Sequence, residues 1–303
     1  MTTSVDTVER KAAQSTPGWR HSKKARFRIN LAIKYVVAAI VLTFSLFPIL
    51  WTISASLNPT SSVSGQTLIP NPATLDHYRT ILNEPFGLWM WNSFYIASIS
   101  SILVGIITLM SAYAFSRFRW VGRSQLLLLI LLIQVFPAIL AMVALFSILQ
   151  QIGTYVPRLG LNTHGGLILI YMGGAMGINV WLMKGFFDSV PREIDESGKV
   201  DGASDWQIFW RLLFPLVRPI LVVSMILTFF GTYSDYLMPR VMITSASKYT
   251  LMLGLYNFIG DNYSQDWGPF AAGAVLGAIP MVAVYLLLQD YIVGGLTAGS
   301  VKG

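Results

Sequence analysis

Six stretches of roughly twenty or more mostly apolar residues constrain this chain more than any other feature: 32–55, 92–115, 125–150, 166–187, 219–239 and 270–293. A bilayer's hydrocarbon core is about 30 Å thick and a helix rises about 1.5 Å per residue, so each stretch can cross it as a helix. Charged side chains make up only 12% of the 303 residues, against about 25% in an ordinary soluble domain. The expected fold class is therefore an all-α integral membrane protein with six transmembrane helices. The second and last stretches are rich in Ser, Gly and other small residues, which let helix backbones approach closely. Both are expected to face other helices more than lipid.

The distribution of Lys and Arg sets the expected orientation. The loops on one side, counted from the N-terminal tail, hold 17 of them, and the loops on the other side hold 4. The rich side is cytoplasmic by the positive-inside rule, which places both termini inside a bacterial inner membrane. The net charge of +7 is thus a topology signal and not a nucleic-acid footprint. Residues 1–30 are basic, polar and without periodicity, and are expected to form a disordered cytoplasmic tail. The apolar stretch after them is too long for a signal peptide. Residues 31–303 form one six-helix domain on this reading.

Enzyme chemistry finds little to work with. There is no Cys, and His21, His77 and His164 lack the spacing of a metal site. No G-x-x-x-x-G-K-[ST] segment is present for binding ATP phosphates.

The cytoplasmic connection 188–218 has local structure written into it. Pro191 followed by Glu193, Asp195 and Glu196 suits a helix start, where carboxylates meet the positive dipole end. Asp201-Gly202 signals a turn, and Ser204-x-x-Gln207 is a capping box opening a second helix. Trp206, Phe209, Trp210 and Leu213 fall on one stripe of that helix. Ser197 and Gly198 offer a side-chain-poor surface that another protein's groove could approach.

These residues carry a family resemblance. Glu196-Ser197-Gly198, Asp201-Gly202-Ala203 and the later Leu-Phe-Pro215 and Pro219 run resemble the "EAA" loop of ABC-importer permeases, with Ser197 and Gly198 in place of two alanines. Gln134-Val-Phe-Pro-Ala-Ile-Leu, Gly160-Leu-Asn-Thr-His-Gly-Gly166, Trp181-Leu-Met-Lys-Gly185 and the ending Gly295-Leu-Thr-Ala-Gly-Ser-Val-Lys-Gly303 are similar to G-type permease subunits of maltose/maltodextrin importers.

The resemblance implies a type I ABC-importer permease fold without catalytic residues. It implies that Glu196, Ser197, Gly198, Asp201, Gly202 and Ala203 couple to a cytoplasmic ATPase. The terminal segment 295–303 would reach the ATPase dimer, with Gly299, Ser300, Val301, Lys302 and Gly303 as contacts. In the outer loop 240–268, Asn257, Phe258, Ile259, Gly260, Asp261 and Asn262 would meet an extracytoplasmic sugar-binding protein. The implied partners are an F-type permease, two ABC ATPase subunits, that binding protein and the lipid bilayer. ATP and Mg are used by the ATPase, with no cofactor or metal on this chain, and no sugar ligand is assigned here.

Three further expectations come from the residues themselves. Asp235, in the fifth stretch, is expected to pair with Arg240 near the outer interface. Pro137 and Pro280 are expected to kink their helices. The rival function is an ion-coupled secondary sugar transporter, but the chain shows no internal repeat and few intramembrane acids.

Overall fold

The computed structural model describes residues 23–62, 65–260 and 265–298. Among them only helices, turns and loops occur. Helix α1 runs Lys23–Leu57, α2 Asp76–Asn83, α3 Phe86–Arg117, α4 Arg123–Val135, α5 Ala138–Tyr155 and α6 His164–Ser189. Two short helices follow, α7 Glu193–Val200 and α8 Asp205–Gln207, and α8 continues through a π-helical turn, Ile208–Leu213, into α9 Phe214–Tyr233. Short helices α10 Leu237–Met242 and α11 Leu251–Tyr256 precede the last long one, α12 Trp267–Ala298.

Five helices are long and apolar enough to cross a membrane, and the α4–α5 pair makes a sixth if taken as one broken span. The break is a bend of 107°. Its cause is Pro137, which has no N–H to donate and pushes the preceding residue out of the helical region. Phe136 accordingly sits at φ −72°, ψ 128°. α4 begins beside the C-terminal end of α3, where Phe115 and Trp120 pack 5.5 Å apart. The segment after α5 meets the opposite end of the bundle, where Asn162 N donates to Met242 O at 2.8 Å. The pair therefore connects the two ends of the bundle, as one span would. Pro280, by contrast, lies inside the uninterrupted α12, so the kink expected there is not a break.

α3 is the central helix. Half of its apolar window is buried, and it packs against both α6 and α9. At one end, Met183 and Phe187 of α6 enclose Phe209, Leu213 and Val217 together with Leu109 and Ala112 of α3. At the other end, Trp89 and Phe86 meet Leu251 and Leu255 of α11 and Ala272 of α12.

Three expectations change here. Residues 23–30 are helical, not part of a disordered tail, because Lys-Lys-Ala-Arg are good helix formers contiguous with the apolar run. α12 buries its first turns, where small residues sit close to α11, yet leaves Ile279, Val282, Leu286 and Leu287 exposed. Its N-terminal half is packed among other helices as expected, and its C-terminal half meets α9 through Val284 and Tyr291 while presenting those four side chains outward. The fifth span ends at Tyr233 rather than near 239, so Asp235 lies beyond it.

Candidate functional site

The connection between α6 and α9 folds into two short helices with a sharp elbow between them. Gly202 at the elbow has φ +78°, the left-handed region where a β-carbon is strained and glycine is not. Open space surrounds the position a Gly202 β-carbon would occupy, so the demand for glycine is conformational, not steric. The chain re-enters helix at Ser204, whose hydroxyl accepts from Gln207 N while the Gln207 side chain accepts from Ser204 N at 2.9 Å. The capping box read from the sequence is thus formed. Glu193, Asp195 and Glu196 occupy the first turn of α7, at the positive end of its dipole.

Gly198 behaves differently from expectation. It is buried, and a β-carbon there would come within 2.9 Å of Ile208 Cγ1 and 3.0 Å of Leu212 Cδ1. Its smallness lets α7 lie against the helix beyond the elbow, and so does not face outward. Glu196 and Ser197 are exposed, as are Asp201 and Gly202, with Ala203 half-buried. Val200, which sequence reasoning passed over, is an apolar side chain 88% exposed at the end of α7. Gly198, Asp201, Gly202, Ala203, Gln207 and Arg211 line a notch of about 320 Å³ on the inside of the elbow.

The aromatic stripe divides. Phe209 and Leu213 are buried, whereas Trp206 is 62% exposed and Trp210 is also exposed. The π turn, with i→i+5 bonding, rotates successive side chains away from ideal helical register. The aromatic rings still touch: Phe209 lies 5.0 Å from Trp210 and 4.7 Å from Tyr113 of α3.

A polar cluster missed in the sequence fastens this unit to α3. Arg117 Nε is 3.1 Å from Asp195 Oδ2, with side-chain exposures of 8% and 15%. Arg117 Nη2 donates to Val190 O at 3.0 Å, and Arg192 Nη2 donates to Ser116 O at 3.3 Å. Ser116 Oγ donates to Asp188 Oδ1 at 2.6 Å, and Asp188 also pairs with Lys184. The arginines 117, 119 and 123 register in the sequence only as basic residues at a membrane edge. The available signal was a run of three arginines followed, in a later loop, by three carboxylates.

At the opposite end, residues 240–256 are folded into the bundle. Asn92 of α3 donates to Tyr249 O at 2.9 Å, and Ser93 Oγ accepts from Leu251 N at 2.8 Å. Lys248 Nζ donates to Asn162 O at 2.7 Å. Asn257 and Gly260 are exposed, while Phe258 and Ile259 are half-buried. Asp261 and Asn262 lie outside the described residues, as do Gly299, Ser300, Val301, Lys302 and Gly303. Residues 295–298 of the expected terminal segment belong to α12.

Asp235 does not take Arg240 as its partner. Its Oδ2 accepts from Tyr171 OH at 2.8 Å and its Oδ1 accepts from Leu237 N at 2.9 Å. The local Asx turn wins because it satisfies a backbone donor at the start of α10. A largely apolar cavity of about 860 Å³ lies along the α4–α5 bend, lined by Gln134, Phe136, Pro137, Leu145, Gly174 and Met238 among others.

Residues 101–297 match the family described as binding-protein-dependent transport system inner membrane component. The chain is 40% identical over 278 residues to the maltose/maltodextrin transport system permease protein MalG of Vibrio parahaemolyticus, covering 86% of this chain and 92% of that one. It is 38% identical over 298 residues to the protein of the same name in Escherichia coli, covering 93% and 98%. In fold it is similar to a chain in the crystal structure of a bacterial ABC transporter involved in the import of the acidic polysaccharide alginate, with TM-score 0.71 and 24% identity over 89% of this chain and 98% of that one. A second alginate transporter structure, in complex with an alginate pentasaccharide-bound periplasmic protein, gives TM-score 0.64 and 13% identity over 90% and 96%.

Proposed function

This chain belongs to the family of binding-protein-dependent transport system inner membrane components, and on that premise we propose that it is the G-type permease subunit of an ATP-driven importer for maltose, maltodextrin or a related oligosaccharide. The observation that carries the reading is identity of 38–40% to maltose/maltodextrin permeases across nearly the whole chain. The elbow at Gly202, with its glycine φ and intact capping box, supports a rigid coupling element on the cytoplasmic side.

Transport then proceeds by alternating access. Two ATPase subunits close on ATP and Mg, and the groove of one bears on α7 through Glu196, Ser197 and the projecting Val200. Glu196 would accept charge-assisted hydrogen bonds from a cationic side chain in that groove. The displacement passes into α9, α6 and α3, and the bundle re-orients with its F-type partner from inward-open to outward-open. Asn257, Phe258, Ile259 and Gly260, with Asp261 and Asn262, face the sugar-binding protein, and residues 299–303 reach the ATPase dimer. Both termini are cytoplasmic on this reading, which the 17 basic residues on that side support. The chain itself catalyses no covalent step.

The relatives and fold neighbours offer no support for an ion-coupled secondary transporter. Solubilising the complex in detergent should co-purify one homologous permease and ATPase subunits. Vesicles containing that complex and the binding protein should take up maltose or a dextrin with ATP after ion gradients are collapsed. Uptake that follows the ion gradient and ignores ATP would overturn the proposal.

A further inference from the structure

Deepening that reading, and resting on it, we propose that Arg117 is a positioning residue that locks the C-terminal end of α3 to the coupling helix α7, so that the two move as one body during the transport cycle. The pair Arg117–Asp195 is the only attachment by side-chain charge that the described residues show between α3 and α7. It does not stand alone. The same guanidinium donates to Val190 O, in the turn that joins α6 to α7, and Arg192 of that turn donates back to Ser116 O. Ser116 in turn donates to Asp188 at the end of α6. Beyond the elbow, Phe209 packs on the Tyr113 ring at 4.7 Å, while Phe187 of α6 packs on the same ring at 5.8 Å from before it.

The end of α3 is therefore held on both sides of Gly202, by charge before the elbow and by aromatic packing after it. A fastening of that kind resists rotation about Gly202, the loop position with a positive φ. Arg117 suits the task because its extended guanidinium can lie against a carboxylate while donating to a carbonyl, which a lysine ammonium does less well. The low exposure of both side chains weakens screening of the attraction by salt.

The test is the number of sugars taken up per ATP hydrolysed, measured on purified complex in proteoliposomes with the binding protein. Arg117→Lys and Asp195→Asn should assemble with the ATPase yet lower that ratio on the order of tenfold, the size of an ordinary coupling term. A merely structural role would lower the yield of complex and leave the ratio at its wild-type value, and that result overturns the proposal. Loss of ATPase co-purification in the wild-type chain would instead overturn the importer reading, so the two failures are distinct. Should Asp195→Asn fail to assemble, the wild-type geometry still decides. The chain has no Cys, so in a complex whose partner subunits are made Cys-free, Arg119→Cys and Glu193→Cys give a single pair of spin labels at exposed positions away from the proposed ATPase contacts. Their separation should stay constant between nucleotide-free and ATP-trapped complexes, and a changed separation would refute the lock.

Discussion

Gly198 and Ile208 face each other across the elbow so closely that a β-carbon on the glycine would stand 2.9 Å from Ile208 Cγ1. The connection between α6 and α9 is thus two helices pressed together, with no room for one extra methyl unless the isoleucine yields. Gly198→Leu should push them apart, at a cost of about 1–3 kcal/mol for overpacking. Thermal unfolding of the purified complex measures the cost. Ile208→Ala in the same chain should recover part of the loss, whereas equal and additive losses would mean the two residues do not share one space.

Gly202 makes a different demand, because a side chain there meets open space but an unfavourable φ. Gly202→Val is expected to lose about 1–2 kcal/mol from backbone strain alone. Gly202→Asn should lose less, since Asn visits that region more readily. Membrane insertion should be normal in both, with sugar uptake falling further in the valine variant. Equal uptake by the two would point away from backbone conformation.

The capping box at Ser204 and Gln207 predicts a local effect. Ser204→Ala removes the acceptor for Gln207 N and should cost about 1 kcal/mol. Hydrogen exchange at Gln207 and its neighbours should speed up, with exchange in α3 unaffected. Unchanged exchange at Gln207 would show that the cap contributes nothing.

Deleting residues 299–303 removes the segment proposed to reach the ATPase dimer while sparing α12, which runs to Ala298. Uptake and binding-protein-stimulated ATP turnover should both drop, with complex yield retained. Wild-type values for both would reject a role for the segment.

Much of this architecture is legible in the sequence because each element is specified locally. The spans follow from apolar length, the bend from Pro137, the elbow from Asp201-Gly202 and the cap from Ser204 and Gln207. What escaped depends on residues far apart in the chain. Nothing near Arg117 announces Asp195, and nothing near Asp235 announces Tyr171. The smallness of Gly198 is visible in the sequence, but the fold that brings Ile208 and Leu212 back onto it is not. The division of the Trp206–Leu213 stripe required the π turn, whose register no 3.6-residue periodicity reveals. The outer segment around Leu251 looked like an exposed loop because its aromatic and polar residues mask the buried Leu251, Leu253 and Leu255.

The central claim is that a separate ATPase drives this chain through α7, and a contact from Ser197 tests it most directly. Ser197 is exposed on that helix, and the chain has no native Cys, so Ser197→Cys supplies a unique thiol. In native membranes a short thiol-to-amine cross-linker should join it to the ATPase subunit, with a yield that changes on adding ATP. A thiol that reacts freely with a soluble reagent but forms no cross-link to the ATPase in any nucleotide state would contradict the account.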